Sequence, residues 1–177
     1  MDETEPYMDV IIQKMVKSEY SFVIHTKDPS NGKDNIIIEL VPGLGESLVS
    51  GKEKYQGSAF RFSYNKQTKA VTILSYCNKS FRIDMDGKSG TKDTRVDYTN
   101  DDLTLNWDKE EWQDLLKKLG KIAEQIEKKF NQHQDIEGAI EVTQEGHREI
   151  MLLQSRAQVV LRINSILNSA DTVRTGL

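Results

Sequence analysis

Trp112, Leu115, Leu116, Leu119, Ile122, Ala123, Ile126 and Phe130 recur at steps of three and four, which lays one apolar stripe along a single long helix. Asp108, with Glu111 three residues on, has capping-box spacing for its start. A stripe of that length must be covered, and the rest of the chain offers β-structure to cover it. Asp9 to Val16, Tyr20 to Thr26 and Asn35 to Val41 are rich in Val and Ile, with Asp28-Pro29-Ser30-Asn31-Gly32 as a turn between the second and third. Ile36-Ile37-Ile38 is apolar at consecutive positions, so that strand is expected to be covered on both faces. Pro42 to Gly51 reads as a glycine-punctuated turn leading into a short helix.

Between Ala59 and Asp84, Phe60, Phe62 and Tyr64 alternate with polar residues and Val71 and Ile73 follow, the pattern of half-buried strands. Asp84 to Asn100 is polar and is expected to be an exposed loop. After the helix come strands from Gln134 to Thr143 and Arg148 to Arg156 around a Glu145-Gly146 turn, then a weakly patterned tail from Val159. Strands, one long helix, then a hairpin indicate an α+β fold, mostly antiparallel.

Lys and Arg number 24 against 28 Asp and Glu, a net charge of −4, which speaks against nucleic acid as partner because phosphate neutralisation needs a basic surplus. The single cysteine, Cys77, allows no internal disulfide and reads as a filler. No apolar run approaches the ~20 residues of a membrane helix. The acidic start, MDETEPYMD, is unlike a secretory or transit leader, so the expected compartment is cytoplasmic. His25, His133 and His147 lack metal-ligand spacing, and His25 within an apolar strand reads as a satisfied core residue. Lys117, Lys118, Lys121, Lys128 and Lys129 read as the solvated helix face, Trp112 as core, and Trp107 as a surface able to stack on a sugar ring.

The final hairpin carries the most chemistry. Residues i and i+2 share a strand face, so Asp135 and Glu137 are co-facial, as are Gln154 and Arg156. A two-residue turn at Glu145-Gly146 would set Glu137 opposite Gln154 and Asp135 opposite Arg156. Two carboxylates, an amide and a guanidinium in one patch suit a metal-nucleotide, since carboxylates hold Mg²⁺ and Arg forks onto phosphate. The same four residues also suit a plain cross-strand ion pair beside a solvated polar pair.

Gln134-Asp135-Ile136-Glu137-Gly138 followed by Leu153-Gln154-Ser155-Arg156-Ala157-Gln158 resembles the QDIEG…VQTRPQ ending of the nucleotide-binding domain of α-glucan water dikinases, with Ala157 where proline is usual. Tyr20-Ser21-Phe22-Val23-Ile24-His25-Thr26 with Asp28-Pro29-Ser30 and Gly32 is similar to the YAFVIHTTNPSSG stretch of the same family. Gly43-Leu44-Gly45-Glu46-Ser47-Leu48-Val49, Ile12-Gln13-Lys14-Met15-Val16 and Val96-Asp97-Tyr98 also have counterparts, in family order across residues 9–158.

The resemblance implies an ATP-grasp domain of the pyruvate phosphate dikinase and phosphoenolpyruvate synthase group, with residues 1–158 its C-terminal portion and 159–177 a tail. It implies ATP and Mg²⁺ as cofactors. Asp135 and Glu137 would serve the metal, Gln154 and Arg156 the phosphate end, and Gln13 and Met15 an adenine-side strand. Thr26 and Glu46 fall in family motifs without an assigned contact. The partners implied are an α-glucan, reached through other domains, and a phosphohistidine carrier domain.

One departure bears on phosphate binding. The family's glycine-rich covering loop corresponds here to Phe81 through Thr91, in which Arg82, Asp84 and Gly87 match but the glycine pair does not. Two functions remain open: the ATP-binding part of a dikinase, inactive alone, or a degenerate module that serves as a scaffold.

Overall fold

The computed structural model describes residues 10–87, 90–98 and 109–159. Strands β1 (Ser18–His25), β2 (Asn35–Pro42), β3 (Phe60–Asn65), β4 (Val71–Ser75), β7 (Gln134–Val142) and β8 (Arg148–Ala157) form one sheet in the order β4-β3-β2-β1-β7-β8, and every pair is antiparallel. Strands β5 (Phe81–Met85) and β6 (Thr91–Arg95) make a separate ribbon. Helix α1 (Glu46–Val49) is short, and α2 (Glu110–Phe130) is the long one. The fold is α+β and mostly antiparallel, as the element order implied.

Alternation decides which face each strand offers. Tyr20, Phe22, Ile24, Ile36, Ile38, Leu40, Phe60, Phe62, Tyr64, Ile136 and Ile140 point to one side and bury against Trp112, Leu115, Leu116, Leu119 and Ala123 of α2. Tyr20 meets Trp112 edge to face, with ring centroids 5.3 Å apart. Ile37 and Val41, on the other face, are also fully buried, so β2 is covered on both sides as its apolar run required. Phe130 closes the stripe on the sequence pattern but is exposed, at the last residue of α2. Among the described residues no helix is long and apolar enough to cross a membrane.

Four local expectations are corrected. Residues 10–17 form no strand, and Val10, Ile11 and Ile12 are 82, 87 and 94% exposed. Both edges of the adjoining β1 are occupied by β2 and β7, so β-propensity there finds no ladder to join. Gln13 and Met15 therefore sit on an irregular segment rather than a strand. Within the expected loop 84–100, Thr91–Arg95 pairs residue for residue with β5. Its polar sequence hides this, because neither face of β6 is buried.

The N-cap position of α2 is Lys109, with no side-chain cap, and Glu111 bonds Arg148 instead, 2.6 Å away. Asp108 and Trp107 lie outside the described residues, as does the tail beyond Val159.

The terminal hairpin turns through Gln144, Glu145 and Gly146 rather than two residues: Thr143 N donates to His147 O at 2.8 Å, and Gly146 takes φ +83°. That turn alone would set Glu137 opposite Leu153. A bulge between Glu137 and Gly138 absorbs one residue of β8, so that Gly138 faces Leu152 while Glu137 faces Gln154 and Asp135 faces Arg156. The expected pairing of the four polar residues is observed, by a different route.

Candidate functional site

The sheet face opposite α2 carries the polar residues of both motif-bearing strands. β1 lies between β2 and β7, and its register puts Val23 beside Glu137 and His25 beside Asp135. Thr26 joins this junction from the chain side: its N–H donates to Gln134 O at 3.0 Å and its hydroxyl accepts from Gln134 N at 2.8 Å. Gln158 closes the far end, its amide bonded to both the N–H and the carbonyl of Lys27 at 3.1 and 2.8 Å. The strand that bears Gln154 and Arg156 is thereby pinned to the loop after β1.

Gly138 is needed at the bulge for a steric reason. A Cβ there would overlap the Phe22 ring and come within 2.5 Å of the Met151 carbonyl oxygen. Gly43 has the matching part at the other end of β1: at φ +75° it lets the chain cross β5, bridging Ile83, with Leu44 N donating to Ile83 O at 2.8 Å. Ser21 on β1 fastens the same crossing by donating to Gly43 O at 2.8 Å.

These constraints enclose a cavity of about 370 Å³. Gln13, Met15 and Val16 line it from the segment before β1, Leu44, Gly45, Glu46 and Val49 from the α1 region, Thr91 from the ribbon, and Glu137 and Leu153 from the final hairpin. Three of the six residues singled out in the sequence, Gln13, Met15 and Glu137, are thus brought together. Glu137 is half-buried, and among the described residues its carboxylate has no hydrogen bond or ion pair.

Asp135, Gln154 and Arg156 lie outside the cavity wall. Asp135 Oδ1 is 2.7 Å from His25 Nδ1, and its other oxygen is 3.8 Å from Arg156 Nε, so this pair is the cross-strand ion pair that spacing also allowed. Gln154 and Arg156 are exposed. His25 is not core: it stands on the polar face as the partner of Asp135, a role its position two residues from Val23 on an apolar strand concealed. Leu44, Val49, Thr91 and Leu153 fall in the quoted motifs, but the sequence assigns them no role, because no spacing rule links elements so far apart. Glu46 lines the cavity and pairs with Lys52 at 2.8 Å.

A larger recess, about 580 Å³, lies at the C-terminal end of α2, lined by Asp34, Lys66, Glu127 and His133 among others. Its charges are spent on each other: Lys66 bridges Asp34 at 2.6 Å and Glu127 at 2.8 Å. Burial works against the Lys66 charge, but these two carboxylates outweigh it and hold its pKa above the ordinary value. Cys77 is buried, with Sγ 3.1 Å from the Tyr98 hydroxyl, consistent with a filler.

A twisted antiparallel sheet with one helix across one face, and a cavity walled by glycine-turned loops and a carboxylate on the other, is consistent with an ATP-grasp-like nucleotide-binding domain. The model of the pyruvate phosphate dikinase AMP/ATP-binding domain family matches residues 1–175, and the chain belongs to that family. It is 30% identical to α-glucan water dikinase 2 of Arabidopsis thaliana over 90% of this chain and 14% of that protein. It is 32% identical to the chloroplastic α-glucan water dikinase of Citrus reticulata over 86% of this chain and 12% of the relative. A probable phosphoenolpyruvate synthase of Archaeoglobus fulgidus is 31% identical over 86% of this chain and 18% of its own length. The chain therefore spans under a fifth of each of these proteins.

Proposed function

We propose that the cavity beside Glu137 takes Mg-ATP and that the chain is the ATP-binding part of an α-glucan water dikinase. The overall reaction is ATP, α-glucan and water going to AMP, phosphoglucan and phosphate through a phosphohistidine on another domain. The observation that carries this reading is Glu137: a half-buried carboxylate without a hydrogen-bond or ion-pair partner among the described residues, lining a cavity that Gln13 and Met15 also line. The likeness to two plant glucan water dikinases supports the choice of substrate class. Residues 1–158 then form the C-terminal portion of the nucleotide-binding domain and 159–177 a tail. Carrier domain and glucan surface belong to the remainder of the parent, in the cytoplasm or a plastid.

Met15, Leu44, Val49 and Leu153 supply the apolar wall against which an adenine ring packs, with Gln13 as a polar contact at its edge. No group of three His, Cys, Asp or Glu among the described residues is placed to hold a metal by itself. Mg²⁺ needs only one or two carboxylates when phosphate oxygens and water complete its shell, so Glu137 fits the ion in the presence of nucleotide. Bound there, the ion would neutralise phosphate charge. Asp135, now paired with His25, would be a second carboxylate for the ion, and Gln154 and Arg156 would serve the phosphate end, Arg156 by its planar fork. This chain's own work is to bind and orient.

Calorimetric titration of Mg-ATP into the chain and into the parent enzyme tests the reading. Saturable binding that Glu137→Ala removes supports it, and unchanged binding in that variant rejects it. A second reading, a degenerate module acting as scaffold, is favoured by the closure of Asp135 onto His25 and Arg156. Absence of nucleotide binding in both proteins would support it.

A further inference from the structure

A second groove adjoins the first. It has a volume of about 490 Å³, shares Ser18 and Leu44 with the Glu137 cavity, and runs between the start of β1 and the β5–β6 ribbon. Its charged lining is Lys17, Glu19, Arg82, Asp84 and Lys92. Glu19 is held by Arg148 through two bonds, at 2.7 and 2.8 Å, and Arg82 closes on Asp84 at 3.0 Å. Two ammonium groups remain: Lys17 and Lys92 are exposed and make no ion pair or hydrogen bond among the described residues.

Lys17 enters from the segment that also walls the first cavity, and Lys92 from the ribbon, next to Thr91, which lines that cavity too. A phosphate nest needs successive backbone N–H groups converging on one point. A paired ribbon does not present them, because the amides facing the partner strand are used in its ladder. Charge for a phosphate chain must then come from side chains.

We propose that Lys17 and Lys92 form a subsite for a diphosphate group. The group is either the tail of the nucleotide seated beside Glu137, in which case the inference rests on the reading above, or free inorganic pyrophosphate. The β,γ-diphosphate tail of ATP carries charge on two phosphoryl groups, as pyrophosphate does, and two ammonium groups can neutralise it; AMP lacks that tail and engages neither lysine.

The test titrates the 177-residue chain with AMP, Mg-ATP and inorganic pyrophosphate, in wild type, Lys17→Ala/Lys92→Ala and Glu137→Ala. Both lysines are exposed, so the double variant is expected to keep the wild-type melting temperature. In it, Mg-ATP affinity should fall about tenfold per lysine while AMP affinity is unchanged. Pyrophosphate binding without any nucleotide binding would keep the subsite, assign it to the free anion and reject the ATP reading. Nucleotide binding in which the double variant holds Mg-ATP and pyrophosphate as wild type does would overturn the subsite and leave the ATP reading standing. No binding of any of the three would overturn both.

Discussion

Glu137 faces Gln154 across the terminal hairpin only because Leu153 is looped out of register between them and the turn. The three-residue turn and the bulge are compensating one-residue offsets, and each alone would carry Gln154 and Arg156 to the helix face. Gly138 stands at the centre of this compensation, with the Phe22 ring occupying the place a side chain would take. Gly138→Ala should therefore cost about 1–3 kcal/mol through overpacking. Urea denaturation checks the loss, and retention of wild-type stability would show that the Phe22 ring can move aside.

Among the described residues Glu137 has no hydrogen-bond or ion-pair partner to lose. Glu137→Gln is thus expected to change stability by no more than ~0.5 kcal/mol while removing magnesium-dependent nucleotide binding. Asp135→Ala behaves differently, because it strips His25 of a 2.7 Å partner and Arg156 of its nearby charge. It should lower stability as well as weaken binding. Magnesium titration at fixed nucleotide, paired with thermal melts, separates the two variants.

Leu116 and Leu119 are fully buried between α2 and the sheet. Truncation of either to Ala should cost about 2–5 kcal/mol, since the hydrogen-bonded sheet packed against α2 cannot collapse into the void. A denaturation midpoint within error of wild type would contradict this account of the core.

Asp28 organises the turn after β1, accepting bonds from Ser30 N at 2.9 Å, Ser30 Oγ at 2.6 Å and Asn31 Nδ2 at 2.8 Å. Partial burial works against its ionisation, but the Ser30 and Asn31 bonds and the nearby Arg61 outweigh it and hold the carboxyl below the usual range. A depressed folded-state pKa adds stability that is present above the unfolded value, about 3.9, and lost as pH falls through the folded one. The melting-temperature gap between wild type and Asp28→Ala should accordingly be wide near neutrality and narrow on acidification below about pH 4. A gap that stays constant down to that range would remove the carboxylate from the explanation.

Much of the site was legible because motif residues sit on regular strands. Asp135 and Glu137 share a face for the same reason that Phe60, Phe62 and Tyr64 do, and the observed ladder keeps both sets together. Gln13 and Met15 line the cavity, although their segment has no strand partner. What remained hidden were contacts between elements distant in the chain: His25 with Asp135, Lys27 with Gln158, and Thr91 and Leu153 on one cavity wall.

Local order along the chain determined which stretches alternate, which stripe is apolar and which polar side chains are co-facial, because these follow from backbone periods of two and 3.6 residues. Tertiary structure alone decided who pairs with whom. A strand is completed by hydrogen bonds to a distant neighbour, so apolar residues 10–12 stay unpaired while polar Thr91–Arg95 finds a ladder. By the same rule, one displaced leucine in β8 sets which face of the sheet holds the charges.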